Sequence, residues 1–314
     1  MQQHLQGQNT PQWIYYLALF FVIALWGIDP IVMSYFYTYY SASALTVIGT
    51  FFSLLAFLVL CRKKLTRLSL RYVKIAVPIG LCNSAACLLQ KIGLQYTTPA
   101  NYAFLEHVSC IVVPLALLVL IKKRPSAIQL GAGLLCLIGC FLLCGAELGG
   151  TLLHPGDLLC FLAGVLLGVC VALTGVFVKD LDLSLYMLLH MLVYFLLSLG
   201  SMLALDRITV GGLPLEPLRF TLSPHLLLPA ALFGLLSIGI CWMLKNLAIV
   251  HTDPTAVAIF SPFSAVIAAT ASVLLGKDTF SARLLIGAGM ILLALFLSGL
   301  SSVAEERREH LRNL

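Results

Sequence analysis

Ten apolar runs, each of helix length, follow one another down the chain at 13–36, 42–61, 72–94, 101–121, 127–145, 156–178, 183–205, 225–249, 254–276 and 282–302. A hydrocarbon core of about 30 Å takes roughly 20 helical residues to cross. The runs are continuous rather than alternating, which argues against a barrel, and a helix satisfies its own backbone polar groups in lipid. With 61% of the 314 residues hydrophobic and 10% charged, nothing is left for a separate soluble domain. The fold class expected is therefore all-α: a polytopic membrane protein of ten transmembrane helices. The polar segment 1–12 carries no Lys or Arg, and the apolar run after it is too long for a signal-peptide core. It reads as a tail before a retained first span, with a second tail at 303–314.

The net charge of +6 is explained by topology. Ten spans put both termini on one side of the membrane. That side carries thirteen basic residues: Arg62, Lys63, Lys64, Arg67, Arg71, Lys74, Lys122, Lys123, Arg124, Lys179, Arg307, Arg308 and Arg312. The opposite loops carry four, Arg207, Arg219, Lys277 and Arg283, and Lys91 and Lys245 lie inside spans. The positive-inside rule then places both termini in the cytosol of a plasma (inner) membrane protein. No nucleic-acid partner is implied.

Most of the ten cysteines lie within spans, as Cys136, Cys140 and Cys144 do at one-turn spacing, and they read as small packing residues. Neither a metal site nor any cofactor is expected, because no zinc-ligand spacing and no Walker-type phosphate loop is present. No enzymatic activity is expected either.

The order Lys91, Pro99, Lys122, Gly131-Ala132-Gly133 returns as Lys245, Pro254, Lys277, Gly287-Ala288-Gly289, shifted by 154 to 156 residues. An ordered set of matches in helices of the same rank indicates duplication, and five spans per copy force the copies into opposite orientations. Two inverted five-helix repeats, 13–145 and 156–302, are predicted, with a substrate site near the midplane between them.

These residues resemble the drug/metabolite transporter superfamily, specifically the EamA type with two five-helix repeats. Trp26-Gly27 is similar to that family's early Trp-Gly, and residues 94–100 are similar to its short turn between third and fourth helices. Glu106-His107 and Ser261-Pro262 fall, in repeat register, where the family carries an acidic or small residue followed by Pro. The Gly-rich starts of helices five and ten fit as well. The chain departs from the family in having Lys123-Arg124 and Gly276-Lys277-Asp278 where Gly-Glu or Glu-Arg is common, and His107 in place of Pro. The resemblance implies a secondary transporter with an alternating-access path between the halves.

Charges buried in lipid must pair, line a polar cavity or become neutral. Asp29, Lys91 and Glu106 fall at similar depth by helical rise, which predicts a shared cavity in the outer half. Trp26, Asp29 and Met33 share one face, and Pro30 is expected to open the helix beside the carboxylate. Asn83, Cys87 and Lys91 form a polar stripe expected to line the same cavity. Tyr102 lies one turn before Glu106, and Phe104 is expected to shape the site. Trp242 and Lys245 are placed toward the cytosolic end, where Lys245 could meet a substrate anion. Tyr186, His190 and Tyr194 could line an inner vestibule or simply pack. Substrate contact is thus assigned to Trp26, Asp29, Asn83, Lys91, Tyr102, Glu106, Trp242 and Lys245. Coupling-proton candidates are Asp29, Glu106 and His107, whose side-chain class titrates near pH 6.5 when unperturbed, about where a proton-coupled carrier works. Plainer alternatives stay open: Asp29 as a helix cap or partner of Lys91, and snorkelling for either lysine. Ser261, Ser264, Ala268, Gly287 and Gly289 read as packing.

The expected partners are a small-molecule substrate, the bilayer and a coupling proton. Two acids against one base in the outer cavity favour an ammonium-bearing ligand, an amino acid or related amine, moved by a secondary active transporter. Export of lipophilic or quaternary ammonium cations is the rival within transport. A non-transporting membrane receptor or lipid-modifying protein is the rival outside it. The residues leave the exact substrate, direction, coupling ion and oligomeric state open.

Overall fold

The computed structural model describes residues 11–94, 96–97, 99–144, 155–210, 213–214, 216–276 and 281–312, with the backbone alone described at 30, 94, 99–100, 144, 210, 213–214 and 301–312. Most of the first tail, Gln95, Thr98, Gly145, Lys277 and Asp278 lie outside the described residues.

The chain is a polytopic all-helical protein. The first half consists of α1 (Gln12–Phe36), α2 (Ala42–Cys61), α3 (Leu70–Leu94), α4 (Pro99–Glu106), α5 (Ser109–Ile121) and α6 (Ala127–Cys144). The second consists of α7 (Pro155–Phe177), α8 (Leu183–Leu205), α9 (Pro224–Gly234), α10 (Cys241–His251), α11 (Pro254–Phe260), α12 (Phe263–Leu274) and α13 (Ala282–Arg312). A π-helical turn, Leu235–Ile240, joins α9 to α10. Among the described residues, nine segments are long and apolar enough to cross a membrane, and Ala127–Leu143 is a shorter apolar helix. The helix α13 continues unbroken through most of the expected second tail. Between α8 and α9 the chain departs from pure helix: Thr209–Val210 (β1) pairs antiparallel with Leu213–Pro214 (β2).

The helix breaks differ from those expected. The helix α1 runs through Pro30 uninterrupted, so this proline does not open the span. The fourth and ninth spans break instead, at residues 107–108 and 261–262, which are related by the repeat shift. Both breaks are tight turns that keep the backbone satisfied. In the first, His107 N–H donates to the Phe104 carbonyl and Val108 N–H to that of Leu105; in the second, Ser264 and Ala265 N–H donate to the carbonyls of Ser261 and Pro262.

Loop contacts establish the inversion of the halves. The α1–α2 turn meets the α8–α9 loop, where Ser41 N–H donates to the Arg219 carbonyl at 2.9 Å. The repeat-equivalent α7–α8 turn meets the α2–α3 loop, where Lys64 pairs with Asp182 at 2.8 Å. These junctions sit at opposite ends of α2, whose 20 residues span about 30 Å. Asp182 also caps α8, accepting the N–H groups of Ser184 and Leu185.

Helix packing relies on close approach. A Cβ on Gly287 would fall 2.7 Å from the Gly139 carbonyl, seating α13 on α6, and one on Gly234 would fall 2.3 Å from the Gly49 Cα. An apolar cluster of Leu19, Ile23, Val113, Leu117, Val171, Ile249 and Val257 fills the half of the bundle nearer the termini. Outward-facing residues such as Val119 and Leu274, each 81% exposed, are what a lipid-facing surface requires. The nine described cysteine side chains are free thiols.

Candidate functional site

Between the halves lies a cavity of about 660 Å³, within the range of small-molecule sites. Its wall reaches the exposed Tyr37, Pro217 and Arg219 at the α1–α2 end. At the other end Leu167, Val171, Trp242 and Lys245 form its floor, and the Leu19–Ile249 cluster lies beyond. The structure is thus accessible from the α1–α2 side and sealed toward the termini.

Asp29 and Trp26 of α1 are held by one residue of the opposite half. Ser237 Oγ donates to the Asp29 carboxylate, and its backbone carbonyl accepts Trp26 Nε1–H at 3.2 Å. Ser237 sits in the π-helical turn, a rare geometry that recurs at functional sites. Nothing in the residue pattern announces that turn, so Ser237 escapes a reading made in α-helical periods.

Lys91 and Lys245 both line this cavity. Lys91 donates to Thr46 Oγ1 at 2.7 Å. Lys245 holds its ammonium 4.9 Å from the Trp26 ring centroid and 5.0 Å from that of Trp242. Among the described residues neither lysine stands within 4.0 Å of a carboxylate. Lys245 stands on the cavity floor, at its end nearer the termini, and shares the one cavity with Lys91. Helical side chains lean toward their own N-terminus, so Lys245 tilts back over Trp242, toward the cavity that Lys91 enters from the opposite side.

Glu106, Tyr102 and His107 line the wall at the α4–α5 break. A helix end projecting into a cavity presents more than one face, so His107 joins Glu106 although it is about 100° away by α-helical count. Phe104 points elsewhere, stacking edge-on against Phe141 with centroids 5.3 Å apart. Ser261, Ser264 and Ala268, read from sequence as packing residues, are cavity wall, whereas Gly287 is packing. The stripe on α3 divides: Cys87 and Lys91 line this cavity, while Asn83 lines a smaller void below its floor. His190 borders that void too, Tyr194 lines the main cavity, and Tyr186 is core.

Residues that sequence reasoning passed over complete the rim. Glu216 accepts the Ser43 N–H at 3.0 Å, and Arg219 donates to the Tyr37 carbonyl at 3.3 Å. Both come from the α8–α9 loop, whose distance in sequence hides its place over α1. The wall then holds three acids, Asp29, Glu106 and Glu216, and three bases, Lys91, Lys245 and Arg219. The expected excess of negative charge is corrected to a balance of three acids and three bases around one cavity.

At the sealed end, ion pairs tie one half to the other: Lys64–Asp182 at 2.8 Å, Arg71–Asp180 at 3.4 Å and Lys123–Asp253 at 3.4 Å. Burial pushes the Asp182 carboxyl up, and the Lys64 ammonium with the capping N–H groups outweighs it, holding the group below its usual value.

The model of the EamA-like transporter family matches residues 13–145 and again 154–300. A solved crystal structure whose title names no function shares the fold, with a TM-score of 0.73 at 16% identity over 93% of this chain and 98% of its own. No curated protein matches the sequence.

Proposed function

We infer, because the chain belongs to the EamA-like transporter family, that this membrane transporter of the drug/metabolite superfamily carries a small zwitterionic metabolite of amino-acid type by alternating access. One observation carries this reading: Asp29, held by Ser237, and Lys245, held over Trp26, come from opposite repeats and face one cavity. A ligand bridging them has its ammonium at Asp29 or Glu106 and its carboxylate at Lys245 or Lys91. It thereby couples the two halves, and a coupling proton would ride on Asp29 or Glu106. The balanced wall favours a molecule bearing both charges over a simple amine or a simple anion. With the termini in the cytosol, the cavity described here faces outward.

The aromatic wall supports the rival reading, export of a quaternary ammonium cation, because Trp26 and Trp242 stand 5.7 Å apart. That pair is already engaged by Lys245, which a second cation would have to displace.

The test is thermal stabilisation of purified protein by leucine, isoamylamine, isocaproate, tetramethylammonium and glucose 6-phosphate, then counterflow of the best ligand in liposomes. The zwitterion alone should stabilise, and both Asp29→Asn and Lys245→Met should sharply reduce its effect. Stabilisation by tetramethylammonium alone, or by the sugar phosphate, would overturn the assignment.

A further inference from the structure

Polar lining does not end at the cavity floor. Leu167, Val171, Trp242 and Lys245 also wall a second, smaller void on the side of the termini. Its volume of about 10 Å³ is at the lower bound for one water molecule. Asn83 of α3 and His190 of α8 border it. Asn83 is 0% exposed and His190 1%. Neither Nδ2 nor Oδ1 of Asn83 has a protein partner, and neither does Nε2 of His190, whose Nδ1 faces Tyr186 Oη at 3.3 Å.

Buried polar atoms without partners are costly, and proteins tolerate them where water or a polar ligand completes them. Here two side chains from two helices, which together leave an amide donor, an amide acceptor and a ring nitrogen without partners, line one void of water size. A buried water typically makes about three hydrogen bonds, which is the number of open positions. An apolar pair at Asn83 and His190 would seal the bundle better, so packing alone gives no reason for these residues.

We propose that Asn83 and His190 form an internal hydration site, the first polar station of the translocation path on the cytosolic side of Lys245 and Trp242. The hydration site stands on geometry alone, and its place on a path rests on the transport reading above. Lys245 and Trp242, with Leu167 and Val171, border both spaces and so form the partition between them. When the partition moves, the same amide and imidazole take over hydrogen bonds from a polar substrate.

Three native cysteines make the test like-for-like, because oxidation of a thiol follows its access to water. Cys87 lines the main cavity, Cys170 lines the void, and Cys136 is fully buried in the core where α6 packs on α13. Pulsed hydroxyl-radical footprinting with mass spectrometry, without any substrate, reads all of them at once. Cys170 should oxidise about tenfold faster than Cys136, and Asn83→Leu should bring it down to the Cys136 rate with Cys87 unchanged. His190→Phe gives the same test if the leucine variant does not fold. A Cys170 rate equal to that of Cys136 in the native protein overturns the proposal, as does a rate that ignores both substitutions. Neither outcome depends on which ligand the main cavity takes.

Discussion

Lys245 of the second repeat holds its ammonium 4.9 Å from the ring centroid of Trp26 in the first, within cation–π range. The lysine is thus both a charge offered to the cavity and a plug in an aromatic site. Lys245→Met keeps the stem and removes the charge. It should weaken leucine binding roughly tenfold to a hundredfold, the range for losing a charged hydrogen bond. It should also let tetramethylammonium bind to the freed indoles, an effect that isothermal titration calorimetry would show as heat absent from the native protein.

The cavity opens toward the α1–α2 end, which the proposed topology, with both termini in the cytosol, puts outside the cell. A variant whose only cysteine is Cys87, which lines the cavity, should react with a membrane-impermeant maleimide added to intact cells. Saturating ligand should slow the labelling. Reaction confined to inverted vesicles would reverse either the topology or the conformation.

Lys64 and Asp182 give the sealed end a pH dependence. The Asp182 carboxyl is held below its ordinary value of 3.8, so ionised Asp182 stabilises the fold fully above that value. The contribution is lost as pH falls through the lowered native value. Melting temperature should therefore fall more between about pH 4 and pH 2 in the native protein than in Asp182→Asn, which cannot ionise. Equal slopes would mean that Lys64 does not pair with it in solution.

The contact of Gly234 with Gly49 sets how closely α9 lies on α2. A Cβ at Gly234 would meet the Gly49 Cα at 2.3 Å, which only a backbone shift relieves. Gly234→Ala should cost about 1–3 kcal/mol, the usual range for overpacking. Gly131→Ala, with open space around it, should instead stabilise by roughly 0.5–1 kcal/mol. Thermal melts of the two variants in one detergent should move in opposite directions.

Much of the architecture is legible in the residues because lipid imposes a one-dimensional requirement, some twenty apolar residues per crossing. Repeat register marked the pairs Glu106-His107 and Ser261-Pro262, which lie at or beside the breaks of the fourth and ninth spans at 107–108 and 261–262. The same reading missed at Pro30, because the loss of one backbone donor leaves the rest of a long helix intact. It missed also at Ser261, Ser264 and Ala268, because a small residue looks the same whether it admits another helix or a ligand.

What the sequence determined by itself is the count of spans, their duplication and the rarity of charge within them, since each follows from composition and spacing along the chain. The tertiary structure alone decided which charges meet. Asp29 is held by a serine in a π-helical turn, Lys245 reaches across the repeat interface to Trp26, and Glu216 and Arg219 fold back from a distant loop. These relationships depend on helix rotation, side-chain tilt and the path of a loop, which act through contacts far apart in sequence and leave no periodicity to read.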